Sequence, residues 1–257
     1  MPMKLKFITC SGCNETTSIF GLLNLLSEFP RAEIGVQVSD KKAACCTHRY
    51  YWIYALWGLA IRRANPINAA LHVNLRWAED FGQGIIAPEL EEFLHFEYDD
   101  DNPFFQRVQL NFKIGREKTP DIDKLEAAIR RFPRHRFILS YNQSNQRLIR
   151  ELYVRNVKFD CLFDESFGAG IIPATRDEPA FVDVLQGYAG GITPDNVQRE
   201  LDKIAATDKK GYCTEGVYID AHKGLEDEFT HFDINKCRNY LANAENWYQN
   251  YLLNLKK

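Results

Sequence analysis

Short runs of strand-forming residues recur eight times along this chain, and most of them precede a segment with helical spacing. Several runs are almost continuously apolar, as is typical of parallel strands that are buried on both faces. Alternating strands and helices indicate repeated βαβ units and one parallel sheet. Since eight such units close most economically into a barrel, the pattern predicts an α/β fold of the (β/α)8 TIM-barrel class. The predicted strands are residues 5–10, 33–38, 70–76, 107–114, 136–141, 159–164, 184–190 and 216–221.

The predicted organisation is one barrel domain over residues 1–257, because the chain contains no low-complexity linker. Two Thr-Pro-Asp sequences, at 119–121 and 193–195, supply a cap and a first-turn proline for helices that follow strands. The main irregularity is residues 77–106, an acidic segment longer than a usual connection, which we interpret as an insertion around a short helix at 88–96. A solvated loop is the simpler interpretation of this insertion, and a lid or partner surface is the alternative.

Composition and charge exclude several classes of partner. The 257 residues carry a formal net charge of −3, so no global field recruits nucleic acid or an anionic membrane. The most apolar stretch, residues 50–61, is too short to span a bilayer, and the N-terminal apolar run is too short for a secretory signal. Seven scattered cysteines without an export signal indicate a reduced, cytoplasmic protein.

The strongest local signal is the sequence YAGGITPDNV at residues 188–197. A strand ends in Gly190-Gly191, and Thr193-Pro194-Asp195 then begins a helix. Two glycines let a ligand approach the backbone, and a helix N-terminus offers N–H groups and the positive end of a dipole. Because the turn follows the seventh strand, it predicts a phosphate site. A plain tight turn without a ligand is the alternative.

This motif resembles the strand-seven motif of the phosphoribosylanthranilate isomerase family, and other segments match that family in order. They are LKFITCSG (5–12), RVQLN (107–111), FDCLFDESFGAG (159–170) and VYIDAHKGLE (217–226). The resemblance implies a barrel of the ribulose-phosphate-binding type, without cofactor or metal. It also implies an Amadori-type isomerisation of a small phosphorylated aminosugar, as in tryptophan biosynthesis. We expect a monomer or a homodimer.

The resemblance also implies roles for individual residues. Asp164 would protonate the furanose ring oxygen, and Cys10 would remove the C2′ proton. Asp164 would need a pKa raised by burial, and Cys10 would need thiolate character. The simpler roles are a loop cap or ion-pair partner for Asp164 and a small buried apolar residue for Cys10. The phosphate contacts implied in this way are Gly168, Gly170, Gly190, Gly191, Lys223 and Gly224.

Several positions depart from the family pattern. Asn111 stands where the family has a histidine, Ile171 stands where it has a lysine, and His222-Lys223 replace paired serines. The Ser-Pro-Arg segment whose arginine holds the anthranilate carboxylate has no counterpart. Lys41 or Lys42 is the candidate replacement, although a lysine loses bidentate recognition. The alternative function is therefore a divergent barrel that binds a phosphorylated ligand or a protein partner without isomerase activity.

A second group of residues suggests metal or redox chemistry. Cys10 and Cys13 are spaced as C-x-x-C, and Cys45, Cys46 and His48 follow the next strand. Because the second cysteine pair is adjacent rather than spaced, it is poorly suited to tetrahedral chelation through one loop. We therefore predict no metal site.

Overall fold

The computed structural model describes residues 3–63, 66–99, 102–112, 119–164, 170–208 and 211–255. Eight parallel strands form a closed barrel in which each strand neighbours the next along the chain. All eight predicted strands are present in the predicted order, so the (β/α)8 fold is confirmed. The strands, labelled β1 to β8, are Leu5–Cys13, Ala32–Val38, Asn68–Val73, Arg107–Leu110, Arg136–Tyr141, Phe159–Phe163, Gln186–Tyr188 and Val217–Ala221.

The helices lie between the strands, and short polar side chains begin several of them. Ser18, Asp121 and Asp233 each accept a hydrogen bond from a backbone N–H in the first turn of the following helix. The helices, labelled α1 to α8, are Ile19–Glu28, His48–Ala60, Leu75–Phe81, Pro88–Leu94, Ile122–Arg130, Gln146–Val154, Val197–Thr207 and Ile234–Asn254. Among the described residues, no helix combines the length and the apolar composition that crossing a membrane requires.

Packing divides the chain into two compact units, Met1–Ile34 with Cys161–Lys257, and Gly35–Asp160. In the first unit, which we call the terminal unit, β1 pairs with β8, β8 with β7 and β7 with β6. The long helix α8 covers β1 with a stripe of fully buried side chains at helical spacing. These side chains are Cys237, Tyr240, Leu241 and Ala244.

In the second unit, which we call the central unit, β4 pairs with β3 and β5. The insertion at residues 77–106 is largely folded rather than a solvated loop. Its predicted helix is α4, and a short antiparallel ribbon of Glu97–Asp99 and Asn102–Pro103 follows it. Trp57 of α2 donates a hydrogen bond of 2.9 Å to the Glu97 carbonyl, which fixes the ribbon against that helix.

Candidate functional site

The carboxyl ends of β6, β7 and β8 and the loops that follow them form the candidate site in the terminal unit. In barrels of this class the active site lies at the carboxyl ends of the strands. Asp164, the predicted acid, follows β6 directly and is half-buried. Gly168, a predicted phosphate contact, lies outside the described residues, and the loop is described again from Gly170.

The two glycines after β7 are needed for their backbone conformation and for close packing. Gly190 and Gly191 have φ angles of +85° and +64°, in the left-handed region that favours glycine. A Cβ on Gly191 would lie 2.3 Å from the Ile172 side chain and 2.7 Å from the Ile172 nitrogen. The loop after β6 therefore lies directly on the turn after β7.

The loop after β8 joins the same cluster. A Cβ on Gly224 would lie 2.4 Å from the Ile192 carbonyl oxygen, and a Cβ on Gly170 would lie 3.0 Å from Cδ of Lys223. The structure thus brings the predicted residues Gly170, Lys223 and Gly224 together with the turn after β7. Neighbouring loops fill part of the space that the missing side chains of these glycines leave open.

The Thr-Pro-Asp sequence after β7 forms a hydrogen-bonded turn that leads into α7, since the Thr193 carbonyl accepts from the Val197 N–H at 3.1 Å, and the regular helix follows it. The Thr193 N–H donates to Oδ1 of Asn196 at 2.9 Å, and Nδ2 of Asn196 donates to the Gly191 carbonyl at 2.9 Å. Helix α7 therefore begins at Val197, three residues later than the motif suggests. The side chain of Asn196 fixes the shape of this loop.

Arg176 anchors the backbone of the same loop and was not identified from the sequence. Its guanidinium donates to the carbonyls of Ala189 and Gly190, the latter at 3.2 Å, and pairs with the Glu200 carboxylate at 2.9 Å. The side chains of Arg176 and Glu200 are at most 2% exposed. Burial opposes ionisation of Glu200, but Lys203 and Arg176 more than offset it and lower the pKa of this carboxyl.

The spacing of the buried residues of α7 gives a sequence signal for this ion pair. Val197, Leu201 and Ile204 form the buried stripe of the helix, and Glu200 falls within that stripe. A glutamate in a buried stripe requires a cationic or hydrogen-bonding partner. Arg176 itself lies in an irregular segment, so its position could not be read from periodicity.

A small pocket opens at the ends of β6 and β7. Its lining includes the stacked rings of Phe163 and Tyr188, whose centroids are 5.1 Å apart, together with Arg176 and Asp177. Desolvation raises the pKa of the Asp177 carboxyl, and the neighbouring Arg176 partly opposes this shift. Asp177 is thus a second carboxyl group of the site that sequence reasoning missed.

Cys10, the predicted base, faces helix α8. Its thiol is 1% exposed and lies 2.6 Å from the thiol of Cys237. Burial, followed by the hydrogen bond with Cys237, raises the pKa of the Cys10 thiol well above its usual value, so the thiol is neutral. The contact that the structure shows is with α8 rather than with the loops of the candidate site.

Ser11, the next residue of β1, points to the opposite face of the strand. Its hydroxyl donates to the Asp220 carboxylate of β8 at 2.5 Å, and both residues are buried. Gly12 has a φ of +99°, and a Cβ there would lie 2.7 Å from the His222 ring. His222 in turn lies 3.2 Å from the Glu226 carboxylate. The ends of β1 and β8 therefore carry a polar cluster that the sequence did not indicate.

The central unit contains the predicted carboxylate anchors. Lys41 and Lys42 follow β2, and both side chains are exposed. Asn111, at the end of β4, donates to Asn74 at 3.0 Å and accepts from Gln109 at 2.9 Å. The position where the family has a histidine is thus part of a chain of neutral amides. Within the described residues, no group of three histidine, cysteine, aspartate or glutamate side chains is placed to hold a metal ion.

Comparison with solved structures relates this barrel to phosphoribosylanthranilate isomerases. TrpF from Jonesia denitrificans has a TM-score of 0.55 at 16% identity, over 94% of this chain and 98% of the other. A phosphoribosylanthranilate isomerase in complex with reduced 1-(o-carboxyphenylamino)-1-deoxyribulose 5-phosphate has a TM-score of 0.52 at 15% identity, over 94% and 100%. Monomers of the dimeric isomerase from Thermotoga maritima have a TM-score of 0.53 at 15% identity, over 94% and 99%.

No protein-family model matches the sequence, and no curated protein sequence matches it. At these identities the structural likeness establishes the fold and leaves the reaction to separate evidence. The chain is therefore related to the phosphoribosylanthranilate isomerases at the level of the (β/α)8 barrel that it shares with them.

Proposed function

We propose that this barrel binds a small phosphorylated ligand at the carboxyl ends of β6, β7 and β8. The observation that carries this proposal is the convergence of three loops, in which Gly170 and Gly224 lie beside Lys223 and the Gly190-Gly191 turn. Phosphate binding needs backbone that a ligand can approach, together with local positive charge. Because the chain as a whole is negatively charged, these groups must supply the attraction locally.

Lys223 and Arg176 have different roles in the site. Lys223 is exposed and would contact the phosphate as a point charge. Arg176 is buried and already bound to Glu200 and two carbonyls, so it holds the turn rigid while Glu200 balances its charge. The small pocket beside this turn is lined by the stacked rings of Phe163 and Tyr188, and aromatic side chains suit an uncharged ring or chain next to the phosphate.

An Amadori-type isomerisation is the second candidate function, and the position of Asp164 at the end of β6 favours it. In this reaction Asp164 protonates the furanose ring oxygen, and Cys10 removes the C2′ proton as a thiolate. The reaction would require the Cys10 thiol to leave Cys237 and to lose its proton. Because of this requirement, ligand binding without isomerisation ranks first. A monomer or homodimer stays the predicted assembly.

The binding proposal is tested by Gly191→Ala and a matched control, Gly211→Ala. Both glycines have nearly the same φ, +64° and +68°, but a Cβ on Gly211 meets nothing within 4 Å. Each variant should lose about 1 kcal/mol from left-handed strain. Only Gly191→Ala should also weaken binding of ribose 5-phosphate, by roughly tenfold or more, because its Cβ displaces the adjoining loop.

Isothermal titration calorimetry with inorganic phosphate and ribose 5-phosphate provides the measurement. The proposal is wrong if the wild-type protein binds neither compound, or if both glycine variants reduce affinity equally.

The isomerase candidate is tested separately by the fluorescence decay of freshly made phosphoribosylanthranilate. Asp164→Asn and Asp177→Asn remove one carboxyl each, and Cys10→Ser removes the thiol. Decay that only Asp164→Asn and Cys10→Ser abolish supports the implied roles. Loss with Asp177→Asn alone would transfer the acid role to Asp177. Decay at the spontaneous rate with wild-type protein excludes this substrate while leaving the phosphate site intact.

A further inference from the structure

Two adjacent cysteines, Cys45 and Cys46, are exposed in the loop that follows β2. The other five cysteines are buried, and all seven belong to the described residues. The two exposed sulfur atoms lie 3.3 Å apart. Because these two thiols are exposed, they contribute little to packing, and their reactivity is the property of interest.

The backbone places Cys46 at the beginning of α2. Cys46 has a φ of +68°, which is uncommon for a residue other than glycine. Thr47 follows as the N-cap of α2, and its hydroxyl accepts from the Tyr50 N–H at 3.2 Å. The thiol of Cys46 therefore lies near the positive end of the dipole of a helix of 13 residues, where a thiolate is stabilised.

The surroundings make the two thiols unequal. Hydrogen bonds with the Tyr51 hydroxyl and with Cys45 lower the pKa of Cys46. The hydrogen bond with Cys46, partial burial and the nearby carboxylate of Glu89 raise the pKa of Cys45. Oε1 of Glu89 also accepts from the Cys45 N–H at 3.1 Å, which holds that carboxylate close. These contacts make Cys46 the more acidic thiol of the pair.

We propose that Cys45 and Cys46 form a reversible dithiol site that exchanges with small disulfides. The Cys46 thiolate attacks one sulfur of the disulfide, forms a mixed disulfide and releases one thiolate. The Cys45 thiol then loses its proton and attacks the Cys46 sulfur, which closes a disulfide between the neighbours and releases a second thiol. Two electrons and two hydrogens pass from the protein to the small disulfide, which is reduced to two thiols.

The oxidised form should be easy to reduce. Neighbouring Cα atoms are about 3.8 Å apart across a trans peptide, which is below the usual span of a disulfide. A strained and exposed disulfide has a relatively oxidising potential and returns readily to the dithiol. This site does not depend on the proposed phosphate site, so either can fail without the other.

The test incubates the folded protein with oxidised glutathione, traps free thiols by alkylation and maps the cysteine peptides by mass spectrometry. The wild-type protein should lose two hydrogens within the Cys45–Cys46 peptide. Cys45→Ser should stop at one glutathione on Cys46, and Cys46→Ser should react at neither position. Tyr51→Phe should slow the first step roughly fivefold, because it removes a hydrogen bond to the thiolate.

Alkylation of the untreated wild-type protein supplies a measurement that needs no variant. Cys46 should be labelled faster than Cys45, and Cys10 and Cys237 should stay unlabelled until the protein unfolds. Equal labelling of Cys45 and Cys46, or glutathione on Cys45 in the Cys46→Ser variant, would overturn the assignment.

Discussion

Each compact unit buries an arginine–carboxylate pair, but the two pairs lie at different ends of their strands. In the central unit, Arg107 begins β4 and contacts Asp160, near the beginning of β6, at 2.9 Å. In the terminal unit, Arg176 holds the backbone just beyond β7 and pairs with Glu200. Since the amino ends of barrel strands serve stability and the carboxyl ends serve function, we expect the Arg107 pair to act on stability alone and the Arg176 pair to act also on the proposed phosphate site.

The polar groups at the carboxyl ends of the strands differ in the same way. The terminal unit presents Lys223 and the backbone of the Gly190-Gly191 turn. The central unit presents the amides of Gln109, Asn111 and Asn74, which hydrogen bonds join into a chain. Amides bind neutral polar groups well but supply no net charge. Departures from the isomerase pattern occur in both units, at Asn111 in the central unit and at Ile171 and His222-Lys223 in the terminal unit.

The largest expected effect comes from Arg176→Met. Removing this guanidinium leaves the buried Glu200 carboxylate with Lys203 and the exposed Arg199, and it leaves two backbone carbonyls without their donor, which together should cost about 3–5 kcal/mol in the free energy of unfolding. The turn after β7 should also lose its anchor, so binding of ribose 5-phosphate should weaken. Urea unfolding and calorimetry measure the two effects.

Two matched variants sharpen this result. Arg199→Met removes a 65% exposed arginine that lies 3.6 Å from the same carboxylate, and it should cost less than about 1 kcal/mol. Arg107→Met should destabilise the protein about as much as Arg176→Met but leave phosphate affinity unchanged. Equal loss of affinity in the Arg107 and Arg176 variants would contradict the division between the two ends of the strands.

The next expected effect is a difference between the two units in how their stability depends on pH. Burial, followed by the charge of Arg134, lowers the pKa of His135 in the central unit to about 4 from 6.5. The unfolded chain binds a proton near pH 6.5, but the folded chain resists it until about pH 4. Stability is therefore fully present above pH 6.5 and falls as the pH decreases towards 4, by up to about 3 kcal/mol.

His135→Phe should flatten the pH dependence of urea unfolding in this window, because phenylalanine cannot be protonated. Glu200 of the terminal unit acts at lower pH, since its lowered pKa gives stability that is present above 4.5 and lost as the pH falls through that lowered pKa. Glu200→Gln should therefore leave the slope between pH 6.5 and 4.5 unchanged. An unchanged slope in His135→Phe would show that another group governs this window.

The strands and most helices were predictable because period and length are local properties of the sequence. The direction of a side chain on a strand buried on both faces is not, since residues 5–10 show little alternation. Cys10 and Ser11 illustrate this limit, because a register shift of one residue exchanges contact with α8 for contact with β8. Arg176 and Asp177 were missed because they lie in an irregular segment whose position depends on tertiary contacts.

The smallest expected effect concerns Lys41 and Lys42 of the central unit. Both side chains are exposed, so Lys41→Met and Lys42→Met should change stability by no more than about 0.5 kcal/mol. If one of them holds a ligand carboxylate, its loss should weaken phosphoribosylanthranilate binding by roughly fivefold, as expected for an exposed ion pair. Binding of ribose 5-phosphate, which has no such carboxylate, should not change.

Lys→Arg at the responsible position should strengthen carboxylate binding, because a guanidinium binds it through two parallel hydrogen bonds. Equal changes in affinity for both ligands, or no change for either, would show that the central unit contains no carboxylate anchor at these positions.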